Sequence, residues 1–277
     1  MININGRVRA WALEPRIEAM DLLFTLNMEH YLKQEGEFAV KIAIISDIHA
    51  NVIALKAVLK DIEEQQVDRI YCVGDLVGYA PFPNEVIDLI QEKNIPTVMG
   101  NYDDGIGYQR FICGCDYKDA EAEALGHESI AWTKKHIAED NKEFLRNLPK
   151  EIRVTIAGKR LLLVHGSPKR LNEYVTEEIS EDYASELIAL ADTDILICGH
   201  THLPFTMVLK DKLLINVGSV GKPKHGDPQA IYALISFARD VTVDFRKVPY
   251  DYEATATAIE ASELPNEFAE IIRTGKY

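Results

Sequence analysis

The sequence predicts a layered α/β domain with two packed sheets. From residue 41 onward, short apolar runs rich in β-branched residues alternate with segments of helical periodicity. After residue 204 the apolar runs follow one another without a helical pattern between them. Alternating strands and helices followed by adjacent strands are typical of layered α/β domains.

The predicted elements follow in order along the chain. The first strand is the apolar run from Val40 to Ser46, which is rich in β-branched residues and suits a buried strand. The later strands are predicted at 68–73, 96–99, 152–156, 161–164, 194–198, 205–209, 213–217, 230–236 and 241–247. Helices are predicted at 52–65, 84–93, 119–147, 178–191 and 253–273. A loop containing Gly105, Gly107 and Gly114 is expected before the third of these helices.

Residues 1–39 stand apart from this alternation. The segment from Pro15 to Glu35 has apolar residues near helical spacing, and Gly36 is a typical helix stop. One hypothesis is that Val40 marks the true start of the protein and that residues 1–39 are an upstream extension. The other is that they form a docking helix, for example at the interface of a homo-oligomer. We therefore divide the chain into residues 1–39 and a domain at 40–277, with a helical C-terminal segment from about residue 250.

Composition and charge restrict the class of protein. The chain is 47% hydrophobic and 27% charged, which is typical of a globular domain. No apolar run approaches the roughly 20 residues that cross a bilayer, and the N-terminus lacks the pattern of a secretory signal. These features predict a soluble cytoplasmic protein without a membrane partner. The net charge of −14 argues against a long nucleic acid as partner, but not against a small phosphorylated substrate next to bound metals.

The four cysteines do not indicate a disulfide framework. Cys72 and Cys198 lie inside apolar runs that are predicted to be buried strands. Cys113 and Cys115 lie in one loop, but a zinc site needs four ligands and no second pair follows. We expect all four to be reduced thiols.

Residues that commonly bind metals follow five of the predicted strands directly. They are Asp47 and His49, Asp75, Asn101, His165, and His200 and His202. In open α/β sheets, sites form outside the carboxyl ends of the strands, so these seven side chains are expected to converge if the strands share a sheet. Adjacent glycines would let the backbone turn sharply and approach a bound ion.

The residue types favour two divalent cations. Carboxylate, amide oxygen and imidazole together suit Mn, Fe, Zn or Co better than Mg or Ca, which prefer shells made of oxygen alone. We favour Mn, with Fe, Zn, Co or Ni as alternatives. A pair of ions needs a bridging carboxylate, and Asp75 is the natural candidate.

The five blocks, in this order, resemble those of the calcineurin-like metallophosphoesterases, most closely the small prokaryotic phosphodiesterase branch. The matching blocks are Asp47-x-His49, Gly74-Asp75, Gly100-Asn101-x-Asp103, His165-Gly166 and Gly199-His200-x-His202. The resemblance covers roughly residues 41–248. It implies a four-layer α/β/β/α sandwich with two mixed sheets and a site at the strand ends. It also implies one metal held by Asp47, His49, Asp75 and His202, and a second held by Asp75, Asn101, His165 and His200.

The resemblance further implies the chemistry of a phosphoric ester hydrolase. A hydroxide bridging two cations about 3.5–4 Å apart would attack phosphorus in line with the leaving oxygen, while the cations stabilise the developing charge. We expect a phosphodiesterase that acts on a small or nucleotide-derived diester. A phosphomonoesterase, such as a protein or nucleotide phosphatase, is the alternative within this chemistry. A non-catalytic scaffold of the same fold is disfavoured because all seven ligand positions are filled.

Tyr102 departs from the family pattern. Much of the family has a histidine at this position, which is thought to neutralise or protonate the leaving group, whereas a tyrosine with a pKa near 10 is a poor acid at neutral pH. Tyr102 could orient a phosphate oxygen, His225 or His127 could replace the donor, or the substrate could need no strong acid. We favour the first hypothesis. Asn101, Tyr102 and Asp103 are thus the predicted catalytic group, with Asp103 supporting Asn101 or a metal-bound histidine.

Two loops are candidates for contact with the substrate. The glycine-rich segment 216–225 follows a predicted strand and contains Lys222, Lys224 and His225, which we expect to contact substrate phosphate. The alternative is a solvated turn, because glycine and proline alone mark turns. The segment 105–116 is expected to form a lid over the site.

Overall fold

The computed structural model describes residues 40–110 and 119–276. The predicted helix at 15–35, both hypotheses about residues 1–39, and the paired cysteines Cys113 and Cys115 lie outside the described residues. Within them, no helix is both long enough and apolar enough to cross a membrane.

The first sheet is mixed and contains four strands. They are β1 (Val40–Ile45), β2 (Arg69–Cys72), β8 (Ala230–Phe237) and β9 (Val241–Val248), in the order β2-β1-β8-β9. β1 runs parallel to β2 and antiparallel to β8, and β8 pairs with β9 as an antiparallel hairpin. The parallel pair ends at the edge of the sheet where Asp47 and Asp75 follow.

The second sheet is also mixed and contains five strands. They are β3 (Glu151–Ile156), β4 (Lys159–Val164), β5 (Ile195–Cys198), β6 (Phe205–Leu209) and β7 (Lys212–Asn216), in the order β3-β4-β5-β7-β6. β4, β5 and β7 are parallel to one another, and β3 and β6 are antiparallel strands at the two edges. The parallel strand β4 ends directly before His165, and β5 ends two residues before His200.

Helices cover the outer face of each sheet. The described helices are α1 (Val52–Glu64), α2 (Pro83–Glu92), α3 (Asn101–Gly107), α4 (Ala120–His136), α5 (Glu139–Arg146), α6 (Glu181–Ala191), α7 (Tyr252–Glu260) and α8 (Glu267–Thr274). Ala43 and Ile45 of β1 share a core with Leu55 of α1, whereas Leu162 of β4 shares a separate core with Leu187 of α6.

The alternate residues of the strands fill the space between the two sheets. Ile42 and Ile44 in the first sheet and Leu163 and Ile197 in the second are fully buried, although their side chains point away from the helices. The domain is therefore a four-layer α/β/β/α sandwich, as predicted from the sequence.

The predicted strand at 96–99 is wrong. The segment makes a single bridge, between Cys72 and Thr97. Pro96 has no N–H to donate, and the Met99 N–H donates to the Pro149 carbonyl instead of to β2. Asn101 therefore follows a short bridged segment, not a strand.

Three helical regions also differ from the prediction. Gly105 and Gly107 lie within α3 instead of in a loop, because the Asp103 carboxylate accepts the Gly100 N–H and caps this short helix. The region 119–147 forms two helices, because the chain is extended at Ile137. The region 253–273 is divided into α7 and α8 before Pro265. The described part of the expected lid, residues 105–110, is thus the end of α3 and the three residues after it.

Candidate metal centre

The two sheets bring the ends of four parallel strands to one place. Within the first sheet, the backbone N–H of Asp47 donates to the Gly74 carbonyl at 2.9 Å. Within the second, the Gly199 N–H donates to the His165 carbonyl at 2.9 Å. The backbone N–H of His200 then crosses between the sheets to the Asp47 carboxylate at 3.0 Å. These bonds fix the relative positions of the segments that follow β1, β2, β4 and β5.

The first candidate metal triad consists of Asp47, His49 and His202. Their ligand atoms all lie within 4.8 Å of one another, and all three side chains are buried. The Nε2 atom of His202 is 3.2 Å from Asp47 Oδ1 and 3.2 Å from His49 Nε2. Asp47 and His49 follow β1, and His202 follows β5, so this triad joins the two sheets.

The second candidate triad consists of Asp75, His165 and His200, again within 4.8 Å and buried. The Nε2 atom of His165 lies 3.2 Å from His200 Nδ1 and 3.4 Å from Asp75 Oδ2. Asn101 Oδ1 lies 2.9 Å from the same Nε2 atom. All seven side chains predicted as metal ligands therefore converge.

Asp75 belongs to the second triad and also faces the first. Its Oδ2 atom is 3.4 Å from His165 Nε2 and 3.7 Å from His49 Nε2. Its Oδ1 atom accepts the backbone N–H of Tyr102 at 2.8 Å, which fixes the orientation of the carboxylate. Asp75 Oδ2 is thus the oxygen that faces both sites.

The donor atoms of the centre fit metal cations. The Nδ1 atoms of His49, His165 and His202 lie 2.5–3.0 Å from the backbone carbonyls of Val77, Val73 and Lys222, respectively. In His49 and His202, an Nδ1–H that donates to a carbonyl leaves the Nε2 lone pair of a neutral imidazole pointing into the centre, and these two Nε2 atoms are 3.2 Å apart. Facing lone pairs about 3 Å apart repel each other unless a cation lies between them.

One buried atom supports the same conclusion. Among the described residues, Asp47 Oδ1, which faces His202 in the first triad, has no hydrogen-bond partner. A buried polar atom without a partner is costly, and a bound metal would satisfy it. The two triads therefore fit a dinuclear metal centre.

The charges in the centre set its protonation state. Burial lowers the pKa of His49, His200 and His202 below its usual value, which keeps these imidazoles neutral and able to bind a metal. Burial acts to raise the pKa of Asp47, but the neighbouring histidines, His202 first, hold it well below its usual range. Burial would lower the pKa of His165, but the Asp75 carboxylate overrides this and raises it to about 10. The centre thus favours bound positive charge.

Most of the ligand positions have an unusual backbone conformation. Asp47, His49, Asp75, His200 and His202 all have positive φ angles, between +48° and +67°. Such angles cost free energy in residues other than glycine and cluster at functional sites.

Neighbouring glycines make the close packing around the carboxylates feasible. A Cβ at Gly199 would overlap the Ser46 hydroxyl and lie 2.7 Å from Asp47 Oδ2, and one at Gly100 would overlap the Asp75 carboxylate.

Asp103 contacts the backbone and not the donor atoms of the centre. Its Oδ2 atom accepts the N–H groups of Asp75 and Gly100, and its Oδ1 atom accepts that of Leu76, each at 2.9 Å. Burial and the nearby Asp75 carboxylate raise the pKa of Asp103 to about 7. It therefore holds the turn that contains Asp75, where the sequence suggested support for Asn101 or a histidine.

Tyr102 packs against one of the ligands, and its hydroxyl is bonded to another tyrosine. Its side chain is 1% exposed, and its hydroxyl donates to the Tyr79 hydroxyl at 2.5 Å. Its ring contacts the edge of His49, with the ring centroids 5.3 Å apart. The hydroxyl group is thus directed toward another phenol.

The three residues predicted to contact the substrate lie in different environments. Lys222 is 2% exposed, and its Nζ atom lies 4.0 Å from the centroid of the Tyr79 ring. Lys224 is half-buried, and its positive charge lowers the pKa of both His200 and His202.

His225, the third of these residues, lies in a different charge environment. It is half-buried, and the charged groups that act on it are Lys247 and Asp227 instead of the centre. Its neighbour Gly226 is bonded to Gly275 near the C-terminal end of the chain. His127, the other candidate donor, lies on α4 with its Nε2 atom buried.

Several residues at the centre were not identified from the sequence. Ser46 donates to Asp47 Oδ2 at 2.5 Å, and Ser219 donates to the Asp47 carbonyl at 2.8 Å. The Tyr174 ring packs on His200 with centroids 4.2 Å apart, and the Tyr79 ring packs on the edge of His49 at 4.9 Å. Ser46 and Ser219 adjoin recognised blocks and offered a signal, whereas Tyr79 and Tyr174 lie in loops without a motif.

Comparison with known proteins agrees with this geometry. The chain is 34% identical to the uncharacterized protein MJ0912 of Methanocaldococcus jannaschii over 250 residues, which cover 85% of this chain and 98% of that protein. It is 30% identical to a metallophosphoesterase from Sphaerobacter thermophilus whose crystal structure superimposes with a TM-score of 0.69, covering 86% of this chain and 100% of that one. A hypothetical protein from Pyrococcus horikoshii, PH1004, shares the fold with a TM-score of 0.74 at 24% identity and the same coverage. Residues 40–240 match the calcineurin-like phosphoesterase superfamily domain, and the chain therefore belongs to that family.

Proposed function

We propose that this protein is a two-metal phosphodiesterase that hydrolyses a small or nucleotide-derived phosphodiester. The observation that supports this most strongly is the position of Asp75, whose Oδ2 atom faces a histidine of each triad. A carboxylate oxygen in that position can bridge two ions, and two adjacent ions are the arrangement found in phosphoryl-transfer centres.

The proposal assigns the ligands to two sites. One site would use Asp47, His49, Asp75 and His202, and the other Asp75, Asn101, His165 and His200. Bound there, a pair of divalent ions would activate a water molecule and neutralise charge on the phosphoryl oxygens. The mixed oxygen and nitrogen donors favour Mn, with Fe, Zn, Co or Ni as alternatives.

The residues of the chain would hold these donors still. Backbone carbonyls fix the imidazoles of His49, His165 and His202 through their Nδ1 atoms. The bond from the Tyr102 N–H fixes the Asp75 carboxylate, and the Ser46 hydroxyl fixes Asp47. Because these contacts exist without substrate, little reorganisation would accompany the reaction.

The supply of positive charge favours a diester over a monoester. Among the described residues, the lysines whose charge acts on the histidines of the centre are Lys222 and Lys224. Lys222 is buried against Tyr79, so Lys224 is the residue we assign to the substrate phosphate. A phosphodiester has one negative charge and needs less neutralisation than the dianion of a monoester.

The direction of Tyr102 bears on the leaving group. With its hydroxyl donating to Tyr79, the residue is poorly placed to protonate a departing oxygen. The geometry supports the hypothesis that the substrate needs no strong acid over the hypothesis that Tyr102 orients a phosphate oxygen. We therefore expect the rate to depend steeply on the pKa of the leaving group.

A substrate panel tests the proposal. Metal-stripped protein would be refilled with Mn, Ni, Co or Mg and assayed on aryl and nucleotide diesters and on the matching monoesters. The expected result is that kcat/KM for diesters exceeds that for monoesters by about tenfold or more with Mn, a margin of about 1.4 kcal/mol in transition-state stabilisation. Hydrolysis of monoesters alone would contradict the diesterase assignment. Two bound ions without hydrolysis of either class would favour a scaffold.

A further inference from the structure

An aromatic cluster packs against the imidazole of His49. It consists of Tyr79, Tyr102 and Phe268. The rings of Tyr79 and Tyr102 both meet the imidazole edge to face, at centroid distances of 4.9 and 5.3 Å and interplanar angles of 89° and 84°. Edge-to-face contacts of this kind have a preferred geometry, so they restrict rotation of the imidazole ring.

The two tyrosines are themselves held in position. Their hydroxyls are hydrogen-bonded at 2.5 Å, and their rings are 4.9 Å apart. The backbone N–H of Tyr79 donates to the Ser129 hydroxyl on α4 at 2.8 Å. Gly78 has a φ of +92°, and a Cβ there would overlap the Tyr102 ring. The turn at 78–79 is therefore shaped to admit this ring.

Phe268 connects the cluster to the C-terminal helices. It lies on α8, is 1% exposed, and packs edge to face on Tyr79 with centroids 5.1 Å apart. Other residues of the same helices, Ile259 and Ile272, line a small cavity together with His49. These helices lie outside residues 40–240, the part of the chain that matches the family domain.

Lys222 ties the second histidine of the first triad to the same cluster. Its carbonyl accepts the Nδ1–H of His202 at 2.5 Å, while its Nζ atom lies 4.0 Å from the centroid of the Tyr79 ring. The buried ammonium group is stabilised by the face of the ring. The backbone carbonyl of Lys222 is therefore bonded to the first triad, and its ammonium group packs on the aromatic cluster.

The C-terminal segment is also fastened to the loops around the centre. Thr255 of α7 donates to the Asn51 side chain at 3.0 Å, and Asn51 in turn donates to the Gly221 carbonyl at 3.0 Å. The Gly226 N–H donates to the Gly275 carbonyl at 2.8 Å. The loop containing Lys222 is thus connected to α7 through Asn51, and its Gly226 is bonded to Gly275, directly after α8.

From these contacts we infer that the C-terminal helix pair is a working part of the first metal site, with Phe268 acting through Tyr79 as a positioning residue for His49. The inference rests on the proposed two-metal site, and it adds a segment outside the matched family domain to that site. Phe268 touches neither substrate nor metal. It keeps the Nε2 atom of His49 directed at the site by holding the ring that contacts the imidazole.

The consequence is selective loss of affinity for one of two ions. Residues that orient a metal ligand typically account for 10–100-fold in metal affinity. The His49 ring contacts both tyrosines of the aromatic cluster, and His202 is tied to the cluster through Lys222. In the second triad, the His200 ring packs on Tyr174, and Asp75 is bonded to the backbone of Tyr102 and not to its ring. Loosening the aromatic cluster should therefore lower the affinity for one ion and leave the affinity for the other unchanged.

Calorimetric titration of Mn²⁺ into the metal-stripped full chain tests this. Phe268→Leu and Phe268→Ala would be compared with Phe237→Leu and Phe237→Ala. Phe237 is an equally buried phenylalanine paired with Val40, at the opposite end of β1 from Asp47. We expect the Phe268 variants to raise one dissociation constant by about tenfold, the alanine more than the leucine, and to leave the other within threefold. The Phe237 variants should lower the melting temperature comparably and change neither constant.

Two results would overturn the inference. One is a folded Phe268→Leu variant with both dissociation constants unchanged. The other is an equal loss of affinity for both ions that the Phe237 variants reproduce. Such a result would be the effect of general destabilisation. If the wild-type protein binds two ions but hydrolyses no ester, the proposed function fails while the inference about Phe268 still stands or falls on the titration.

A second measurement separates positioning from proton donation. Tyr102→Phe removes the hydroxyl and keeps the ring that contacts His49. If Tyr102 acts by position, the slope of log kcat against the pKa of the leaving group stays as in the wild type. A steeper slope in Tyr102→Phe would mean that the hydroxyl assists the leaving group, which contradicts a purely positioning cluster.

Discussion

At the scale of single residues, Asp75 is the side chain that joins the two halves of the centre. Its Oδ1 atom is occupied by the Tyr102 N–H, so Oδ2 alone faces His49 and His165. An amide in this position has the same shape but no charge, and one of its two terminal atoms is a donor that cannot bind a cation.

Replacement of Asp75 is the first prediction. Asp75→Asn should lower kcat/KM for a diester on the order of 100-fold or more, because charge stabilisation at both ions is lost. Steady-state kinetics with Mn²⁺ would measure this. Asp104→Asn is the matched control, since Asp104 lies on the same short helix as Asn101 but pairs with Arg110 at the surface. Near wild-type activity in Asp75→Asn would exclude the bridging role.

The first site requires glycine at position 199, because the neighbouring atoms leave no space for a side chain. A Cβ there would overlap the Ser46 hydroxyl and lie 2.7 Å from Asp47 Oδ2. Gly199→Ala should cost about 1–3 kcal/mol of stability through overpacking, and it should displace Asp47 from His202.

The displacement can be measured as a loss of metal stabilisation. A ligand that binds only the folded state raises the melting temperature, so Mn²⁺ should stabilise the wild type. We expect this increase to shrink in Gly199→Ala and to persist in Gly107→Ala, where the added Cβ would meet Arg146 and Leu145 far from the ligands. An undiminished Mn²⁺ effect in Gly199→Ala would show that Asp47 has not moved.

At the scale of elements, one partly buried ion pair connects α1 to the first sheet. Arg246 of β9 donates two hydrogen bonds to the Asp61 carboxylate of α1, at 2.8 and 3.0 Å, and the Tyr232 hydroxyl of β8 donates a third at 2.6 Å. The bonds from Arg246, outweighing burial, lower the pKa of Asp61 below its usual value. The helix that follows the first metal-binding turn is thereby held in position.

This ion pair predicts a dependence of stability on pH. Because the pKa of Asp61 is lower in the folded state than its unfolded value of about 3.9, the stabilisation is complete above that value and is lost as the pH falls through the folded-state pKa. Asp61→Asn should lower stability by about 1–2 kcal/mol at pH 7. The difference in the free energy of unfolding between Asp61→Asn and the wild type should narrow below about pH 4.

Thermal denaturation across this range measures the effect. Asp244→Asn is the control, because Asp244 is exposed and approaches Arg246 only to 3.8 Å, so its removal should cost less than about 0.5 kcal/mol. A difference for Asp61→Asn that stays constant from pH 7 to pH 3 would contradict the assignment.

The elements themselves were predictable to different degrees. β1 and α1 came within one residue of their predicted ends, because apolar periodicity and the Asn51 cap are local signals. The segment 96–99 and the helix α3 were predicted wrongly, because their state depends on partners distant in sequence. In the first case, the segment makes a single β-bridge, between Thr97 and Cys72. In the second, α3 forms despite two glycines because the Asp103 carboxylate that caps it is also bonded to the turn at Asp75.

At the scale of the whole molecule, the site is a product of topology. Two mixed sheets place the ends of β1, β2, β4 and β5 at one edge of the sandwich, so residues more than 120 positions apart meet in each triad. The ligand types and the order of the blocks were visible in the sequence, because each stands directly after an apolar run. Their convergence follows from the fold class, which the periodicity also predicted.

The surroundings of the ligands were not predictable in the same way. Tyr102 was recognised as unusual, but its turn toward Tyr79 depends on Gly78 and on a helix that begins 165 residues later in the chain. Lys222 was predicted to contact the substrate, and we assign its side chain to the Tyr79 ring because burial decides the direction of a long side chain. Such contacts depend on how whole elements pack, and no local pattern encodes them.

Direct metal counting tests whether one chain binds two divalent ions. Metal-stripped protein would be incubated with excess Mn²⁺, separated from free metal, and analysed for metal and protein. We expect two ions per chain for the wild type and fewer for Asp75→Asn, which removes the shared ligand. One ion or none per wild-type chain, with the protein folded, would contradict the dinuclear centre.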